Sequence, residues 1–177
     1  MIEEGTRRVD YDGRMRLTTP IIVATALLLG TAAPARADLT AFLGVNPTPV
    51  NRGVKGFSIG AGILIAGFEA EYADTSEDVA LAAPKLRTFM FNGLLQTPVP
   101  IAGFQFYGTL GGGVYHESIS TQQNLDETNF GSNIGGGAKI SLVGPLRLRV
   151  DYRVFNLHGN ARHTPVQRWY AGINLKF

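Results

Sequence analysis

The sequence predicts an all-β fold: an eight-stranded antiparallel up-and-down transmembrane β-barrel. Three observations predict it. Segments of alternating apolar and polar residues recur along the chain, and several exceed the five or six residues of a mean strand. The connections alternate between long and short, and arginines lie within strands that have aromatic residues near their ends. After the first forty residues, no segment has the 18 consecutive apolar residues of a transmembrane helix.

The N-terminal segment is predicted to lie outside this fold. Residues 15–37, "MRLTTPIIVATALLLGTAAPARA", combine a basic start, an apolar run too short to span a membrane as a helix, and a small-x-small cleavage motif. In residues 1–14, two acidic residues precede the first basic ones, which does not suit a secretory signal, so we expect translation to start at Met15. The prediction is an N-terminal extension plus cleaved signal peptide at 1–37 and a single barrel domain at 38–177.

Composition excludes several classes of function. The domain has no cysteine, so it has no disulfide framework and no thiolate site. Its Lys and Arg residues outnumber its Asp and Glu residues by one, without a charge run of the kind that binds nucleic acid. We therefore expect no nucleic-acid partner.

Each predicted strand is bounded by turn residues. The eight strands are predicted at 39–46, 54–65, 67–75, 85–96, 102–117, 129–142, 145–157 and 165–177. In the second, isoleucines and Phe57 alternate with Ser58 and glycines. In the third, Glu69 and Glu71 alternate with apolar residues. Such alternation predicts strands with one apolar and one polar face.

The fifth and sixth strands contain unusual glycine runs, in "TLGGGVYHES" and "NIGGGAKISL". Neither run has the Gly-Lys-Ser/Thr step of a phosphate-binding loop, and no helical pattern follows. Glycine weakens a strand interior, so a structural reason is required. An eight-stranded barrel is narrow, and bulky inward side chains need opposing positions without side chains. We expect both runs to face the barrel interior beside Tyr107 and Tyr115.

The last two strands show the clearest alternation. In "LRLRVDYRV", the apolar residues occupy one face and Arg147, Arg149, Asp151 and Arg153 occupy the other. The final strand places Trp169 and other apolar residues opposite polar ones that include Arg168 and Lys176. In a membrane barrel, the apolar face contacts lipid and the polar face lines the lumen.

Connection lengths indicate which strand ends share a side. Residues 47–53, 76–84, 118–128 and 158–164 are long connections, and residues 66–67, 97–102 and 143–145 are short or fixed by proline. Long extracellular loops alternating with short periplasmic turns are typical of outer-membrane barrels.

The chain resembles the small outer-membrane β-barrel proteins of the OmpA-transmembrane-like or outer membrane protein beta-barrel domain families. The resemblance rests on the signal peptide, the eight alternating segments, the loop pattern and the ending "WYAGINLKF". The resemblance implies the outer membrane of a Gram-negative-type cell, within a wider porin family of envelope proteins. It also implies that Phe177 belongs to an assembly signal read by the barrel-assembly machinery. The peptidoglycan-binding domain common in these families does not follow the barrel in this sequence.

Charged residues on the inward faces are predicted to form a network that plugs the lumen. The predicted members are Glu69, Glu71, Lys139, Arg147, Arg149, Asp151, Arg153, Arg168 and Lys176. Unpaired buried charges cost several kcal/mol each, so carboxylates and guanidinium groups should pair across the barrel. Bases outnumber acids six to three in this set, so any conduction would favour anions.

The functional prediction is a structural or adhesive outer-membrane protein with a plugged lumen and four surface loops. One alternative is a small porin-like channel for anions or small solutes. A second is a soluble periplasmic ligand-binding barrel, in which the apolar face would form the core. We expect a monomer without cofactors, in contact with outer-membrane lipid and lipopolysaccharide. His158, Arg162 and His163, with Arg52 and Lys55, are predicted to face lipopolysaccharide phosphates.

We expect no enzymatic activity, with one alternative. His116 and Ser118 share a strand face, and Glu127 is a possible acid for an activity like that of lipid A deacylases. The residues around this pair do not resemble that family's motif. The three histidines lack ligand spacing on any strand, so no metal site is predicted.

Overall fold

We describe a computed structural model of the chain, which covers residues 36–120 and 126–177. The predicted N-terminal extension and signal peptide, 1–37, lie outside the described residues except for positions 36 and 37. Among the described residues, no helix has the length and apolarity needed to cross a membrane.

The predicted fold class is confirmed. Eight strands follow one another along the chain, each within three residues of its predicted bounds. They are β1 (Arg36–Asn46), β2 (Arg52–Ile63), β3 (Ala66–Thr75), β4 (Lys85–Gln96), β5 (Phe104–Ser118), β6 (Asp126–Ser141), β7 (Leu146–Leu157) and β8 (Val166–Lys176).

The strands form one closed antiparallel barrel in sequence order. Each strand pairs with the next, and β1 closes the barrel by pairing with β8 from Asp38–Lys176 to Val45–Trp169. The seam continues to the chain end, where the backbones of Ala37 and Phe177 exchange two hydrogen bonds of 2.9 Å. Closure leaves no strand edge unpaired, as a sheet in a membrane requires.

The polarity of the barrel is opposite to that of a soluble sheet. Arg149 is fully buried whereas its neighbour Val150 is 40% exposed on the outside. Phe68 and Leu43 are likewise exposed, and Glu69 and Thr40 lie inside. This arrangement excludes the soluble ligand-binding barrel, which would bury its apolar face.

The two ends of the barrel differ. Short connections at 64–65, 97–103 and 142–145 lie at the end that carries β1's start and β8's end, which we call the turn side. Gly103 and Gly144 have positive φ values of 85° and 58°, which suit tight turns. The other end, the loop side, has four connections, of which 76–84 and 158–165 are longer than any at the turn side, whereas 47–51 is shorter than 97–103.

Candidate functional site

The barrel lumen contains a connected ionic layer. We use this name for the six residues Glu69, Glu71, Arg149, Asp151, Arg153 and Arg168, all at most 3% exposed. The acids Glu69 and Glu71 belong to β3, and the others belong to β7 and β8. Because β3 and β7 stand four strands apart in an eight-stranded barrel, their ion pairs cross the lumen.

Arg149 and Arg153 each bridge two or more carboxylates. Arg149 forms an ion pair with Glu69 and another, at 3.2 Å, with Asp151. Arg153 donates from Nη2 to Glu69 Oε1 at 2.9 Å and from Nε to Asp151 Oδ1 at 2.9 Å. Its Nη1 lies 3.1 Å from Glu71 Oε2. Every carboxylate therefore has at least one charged partner, which offsets the cost of burial.

Arg168 extends the layer toward the loop side. Its Nη1 donates to Glu71 Oε1 at 3.1 Å and its Nη2 donates to Thr88 Oγ1 at 3.1 Å. Its guanidinium carbon lies 4.3 Å from the centroid of the Phe155 ring. The layer holds three arginines and three carboxylates, so its formal charge is zero.

Two tyrosines also belong to the ionic layer, although the sequence analysis did not include them in the charge network. The Tyr107 hydroxyl donates to Asp151 and accepts from Arg149 Nε at 2.7 Å. The Tyr170 hydroxyl accepts from Arg153 Nη2 at 3.2 Å and donates to Glu71 Oε2 at 3.3 Å. Strand parity placed both inward, but parity alone does not show which polar groups meet.

The remaining three predicted members lie closer to the turn side. Lys139 is buried and pairs with Asp38 at 2.5 Å, an acid that sequence analysis left out. Arg147 is half-buried and donates to Gln105 Oε1 at 2.9 Å. Lys176 is also half-buried at the same end. With Asp38 included, six inward bases stand against four inward acids in this set.

Between the ionic layer and the loops lies an apolar layer inside the barrel. Its members are Leu86, Met90, Tyr115, Phe155, Leu157 and Val166, all at most 4% exposed. These residues belong to β4, β5, β7 and β8, so they converge from much of the barrel wall. Together the two layers fill the lumen, as the small diameter of an eight-stranded barrel allows.

The glycine runs accommodate the bulky lumen residues, as expected. A Cβ on Gly137 would lie 2.6 Å from the Tyr107 hydroxyl oxygen, closer than real contacts. In the other run, a Cβ on Gly111 would lie 2.0 Å from Oδ1 of the inward Asn92. Glycine at these positions therefore lets neighbouring side chains cross the narrow interior.

Strand residues hold the loops over the apolar layer. Arg52 is 5% exposed, and its guanidinium donates to the carbonyl of Pro84 and, at 2.7 Å, to that of Thr48. This placement corrects the prediction that Arg52 faces lipopolysaccharide: its side chain is used inside to join two loops. The Tyr115 hydroxyl donates to the carbonyl of His158 in the last loop.

Of the residues in the deacylase-like alternative, Glu127 does not lie beside His116. His116 faces outward, and its Nδ1 lies 2.8 Å from Thr128 Oγ1 and 3.3 Å from Asp126 Oδ1. Glu127 has the opposite parity to Asp126, and its Oε1 accepts from Asn129 at 3.4 Å and from the Asn160 amide at 3.4 Å. Glu127 is thus not the partner of His116.

No group of three or more His, Asp or Glu residues suited to a metal ion occurs in 36–120 or 126–177.

Comparison with known proteins supports the fold. No family model matches the chain, and no curated protein matches its sequence. The N-terminal β-barrel domain of Pseudomonas aeruginosa OprF is similar, with a TM-score of 0.62 and 14% identity over 80% of this chain and 97% of that domain. Neisserial surface protein A is similar with a TM-score of 0.61 and 16% identity over 81% of this chain and 96% of that one. The outer membrane enzyme PagL has a TM-score of 0.51 and 14% identity, over 78% of this chain and 98% of that one.

At sequence identities of 14–16%, the similarity to these structures concerns the fold alone. The outward apolar surface and the polar lumen are the features that distinguish a membrane barrel from a soluble one. The protein is therefore an eight-stranded β-barrel of the outer-membrane type.

Proposed function

We propose that the protein is a non-enzymatic structural or adhesive component of the outer membrane of a Gram-negative-type cell. In this role the barrel anchors four loops at the cell surface and does not transport solutes. The observation that supports it most is the filled lumen, where the ionic layer and the apolar layer lie in series. With the interior occupied by side chains, the loops are the part available to a partner.

Planar-bilayer recording of the purified protein tests the plugged lumen. We expect no stable open conductance at moderate voltage. A large, stable conductance would contradict the proposal and favour the alternative of a small channel. Anion selectivity in that case would point to Arg147 and Lys176, the half-buried bases at the turn side.

We propose that Phe177 acts in assembly by the barrel-assembly machinery. Its side chain is 70% exposed at the turn side, and its backbone already pairs with Ala37. Phe177→Ala should therefore lower the amount of folded barrel in cells several-fold while leaving refolding in detergent unchanged. If the variant also refolds several-fold more slowly in detergent, Phe177 stabilises the barrel itself. Phe104→Ala, an outward phenylalanine also at the turn side, is the matched control.

The proposal includes the absence of catalysis and a monomeric state. Lipid A deacylation by the purified protein, compared with Ser118→Ala, tests the first. Turnover that disappears in the variant would establish His116, Ser118 and the nearby Asp126 as a site. Mass measurement in micelles tests the second.

A further inference from the structure

The outward charges near the loops are confined to one side of the barrel. In one row, strand register places Lys55 beside Asp74, Asp74 beside Arg87, and Arg87 beside His116. Lys85 lies one row nearer the loops on β4. On the opposite side, the outward residues of β7, β8 and β1 at this level are uncharged: Val154, Asn156, Gln167, Trp169 and Val45.

The charged side contains a surface hollow bordered by two lysines. The hollow has a volume of about 450 Å³ and is lined by Lys55, Lys85, Asp74 and Ser76, with Gly53 among its backbone walls. The space beside Gly53 is open, because a Cβ there would meet nothing nearer than the Ser76 hydroxyl at 3.9 Å. Two ammonium groups around one hollow are suited to an anionic group, since each offers three donors.

An apolar groove continues from this hollow toward the middle of the strands. Its volume is about 710 Å³, and it shares Leu43, Lys55 and Asp74 with the hollow. Its walls include Ala41, Phe57, Tyr72, Leu148, Ala171 and Ile173. Ala41 and Ala171 are small, so the outer surface is recessed along β1 and β8. The continuous recess therefore has a cationic end at the loop side and an apolar end at membrane depth.

The acids near the hollow do not cancel its positive charge. Asp74 Oδ2 lies 3.4 Å from Lys85 Nζ. Glu77 accepts from the Ser120 hydroxyl at 2.5 Å and from its amide at 3.0 Å. The lining of the hollow itself contains Lys55, Lys85 and Asp74, so its formal charge is +1.

We propose that this recess binds a phosphate-bearing acyl lipid of the leaflet on the loop side. The phosphate lies between Lys55 and Lys85, and one acyl chain lies along Ala41 and Ala171. The proposal rests on the proposed function, because it requires the barrel to lie in a membrane. In this proposal the principal contact with lipid phosphate is the surface of β2–β4. The sequence analysis had instead assigned that contact to the last loop, with His158 and Arg162.

Lipid titration followed by native mass spectrometry tests the proposal on the full barrel in micelles. The probes are phosphatidic acid, diacylglycerol with the same chains, and inorganic phosphate. We expect phosphatidic acid to bind at least about tenfold more tightly than diacylglycerol, because ammonium–phosphate hydrogen bonds are charge-assisted. Inorganic phosphate should bind no more than weakly, because it lacks the acyl chain.

Variants separate the two ends of the recess. Lys55→Gln with Lys85→Gln should remove the preference for phosphatidic acid over diacylglycerol. Ala171→Leu, which fills the groove, should weaken phosphatidic acid binding about tenfold or more. The controls are Lys176→Gln at the turn side and Ala138→Leu, an outward alanine of β6, and both should bind like wild type.

Three results would overturn the proposal: an unchanged preference in the double lysine variant, wild-type binding by Ala171→Leu, or equal binding of inorganic phosphate and phosphatidic acid. Heat-modifiable gel mobility shows that each variant is folded. A barrel absent from the outer-membrane fraction would contradict the proposed function instead. A correctly inserted barrel without lipid preference would contradict only this inference.

Discussion

The ionic layer and the apolar layer fill the same lumen by different physical means. The first holds three arginines and three carboxylates whose ion pairs join β3 to β7 and β8. The second packs leucine, methionine and aromatic side chains beneath the loops. In the ionic layer every group depends on a partner's charge, whereas in the apolar layer the side chains depend on volume, apart from the Tyr115 hydroxyl and its loop carbonyl.

This difference teaches that a polar lumen is not uniformly polar. Charges tolerate burial in the ionic layer because several donors and acceptors meet there, including Tyr107 and Tyr170. Toward the loops the apolar layer excludes water with side chains that need few such partners, and the buried Arg52 there donates to two loop carbonyls. Removing one member should therefore be more damaging in the ionic layer.

The largest expected effect is from Glu69→Gln. The change leaves Arg149 and Arg153 short of a buried carboxylate, and removing one partner of a buried ion pair costs about 3–5 kcal/mol. Urea unfolding in micelles, followed by the fluorescence of Trp169, measures this loss. The control Glu77→Gln changes an exposed loop carboxylate and should have little effect. If both variants unfold alike, Glu69 does not stabilise the barrel through the ionic layer.

Met90→Ala tests the apolar layer. Met90 is fully buried, so truncation leaves a cavity and should lower the free energy of unfolding by about 2–5 kcal/mol, depending on how far the layer relaxes. Met90→Leu, which nearly conserves volume, should cost less than about 1.5 kcal/mol. A Met90→Leu loss as large as that of Met90→Ala would show that volume is not what matters in this layer.

Tyr107→Phe tests whether hydroxyl groups belong to the ionic layer. The ring remains, but Asp151 loses a donor and Arg149 Nε loses an acceptor, at a cost of about 1–3 kcal/mol. The same unfolding measurement applies. Tyr72→Phe, on the outer surface, is the matched control and should be neutral. Equal values for both variants would remove Tyr107 from the layer.

The smallest expected effect concerns the loops. Hydrogen bonds from the Ser120 hydroxyl and amide hold the pKa of Glu77 below its ordinary value. The contact therefore adds stability above the ordinary glutamate pKa and loses it as pH falls through the lowered pKa. Ser120→Ala should raise the pKa of Glu77 toward its ordinary value, as measured by NMR titration. An unchanged pKa would contradict the loop contact.

The sequence by itself determined the strands, their order and which face of each points inward. Alternation has a period of two, so the parity of Arg149 and Val150 fixes opposite faces over the whole of β7. The antiparallel strand order likewise assigned alternate connections to opposite ends of the barrel. These features depend on neighbouring residues in the chain, which a sequence displays directly.

Tertiary structure alone decided which inward groups meet. Asp38 and Lys139 are 101 residues apart, and their pairing depends on barrel closure and register. The apolar layer was equally hidden, because β4 has apolar residues on both faces, such as Met90 inside and Phe91 outside. The inward contacts of Arg52 with two loop carbonyls were also not visible in the sequence, because they depend on how the loops fold over the barrel. Contacts across a lumen depend on the tilt and stagger of all eight strands together, which no local pattern specifies.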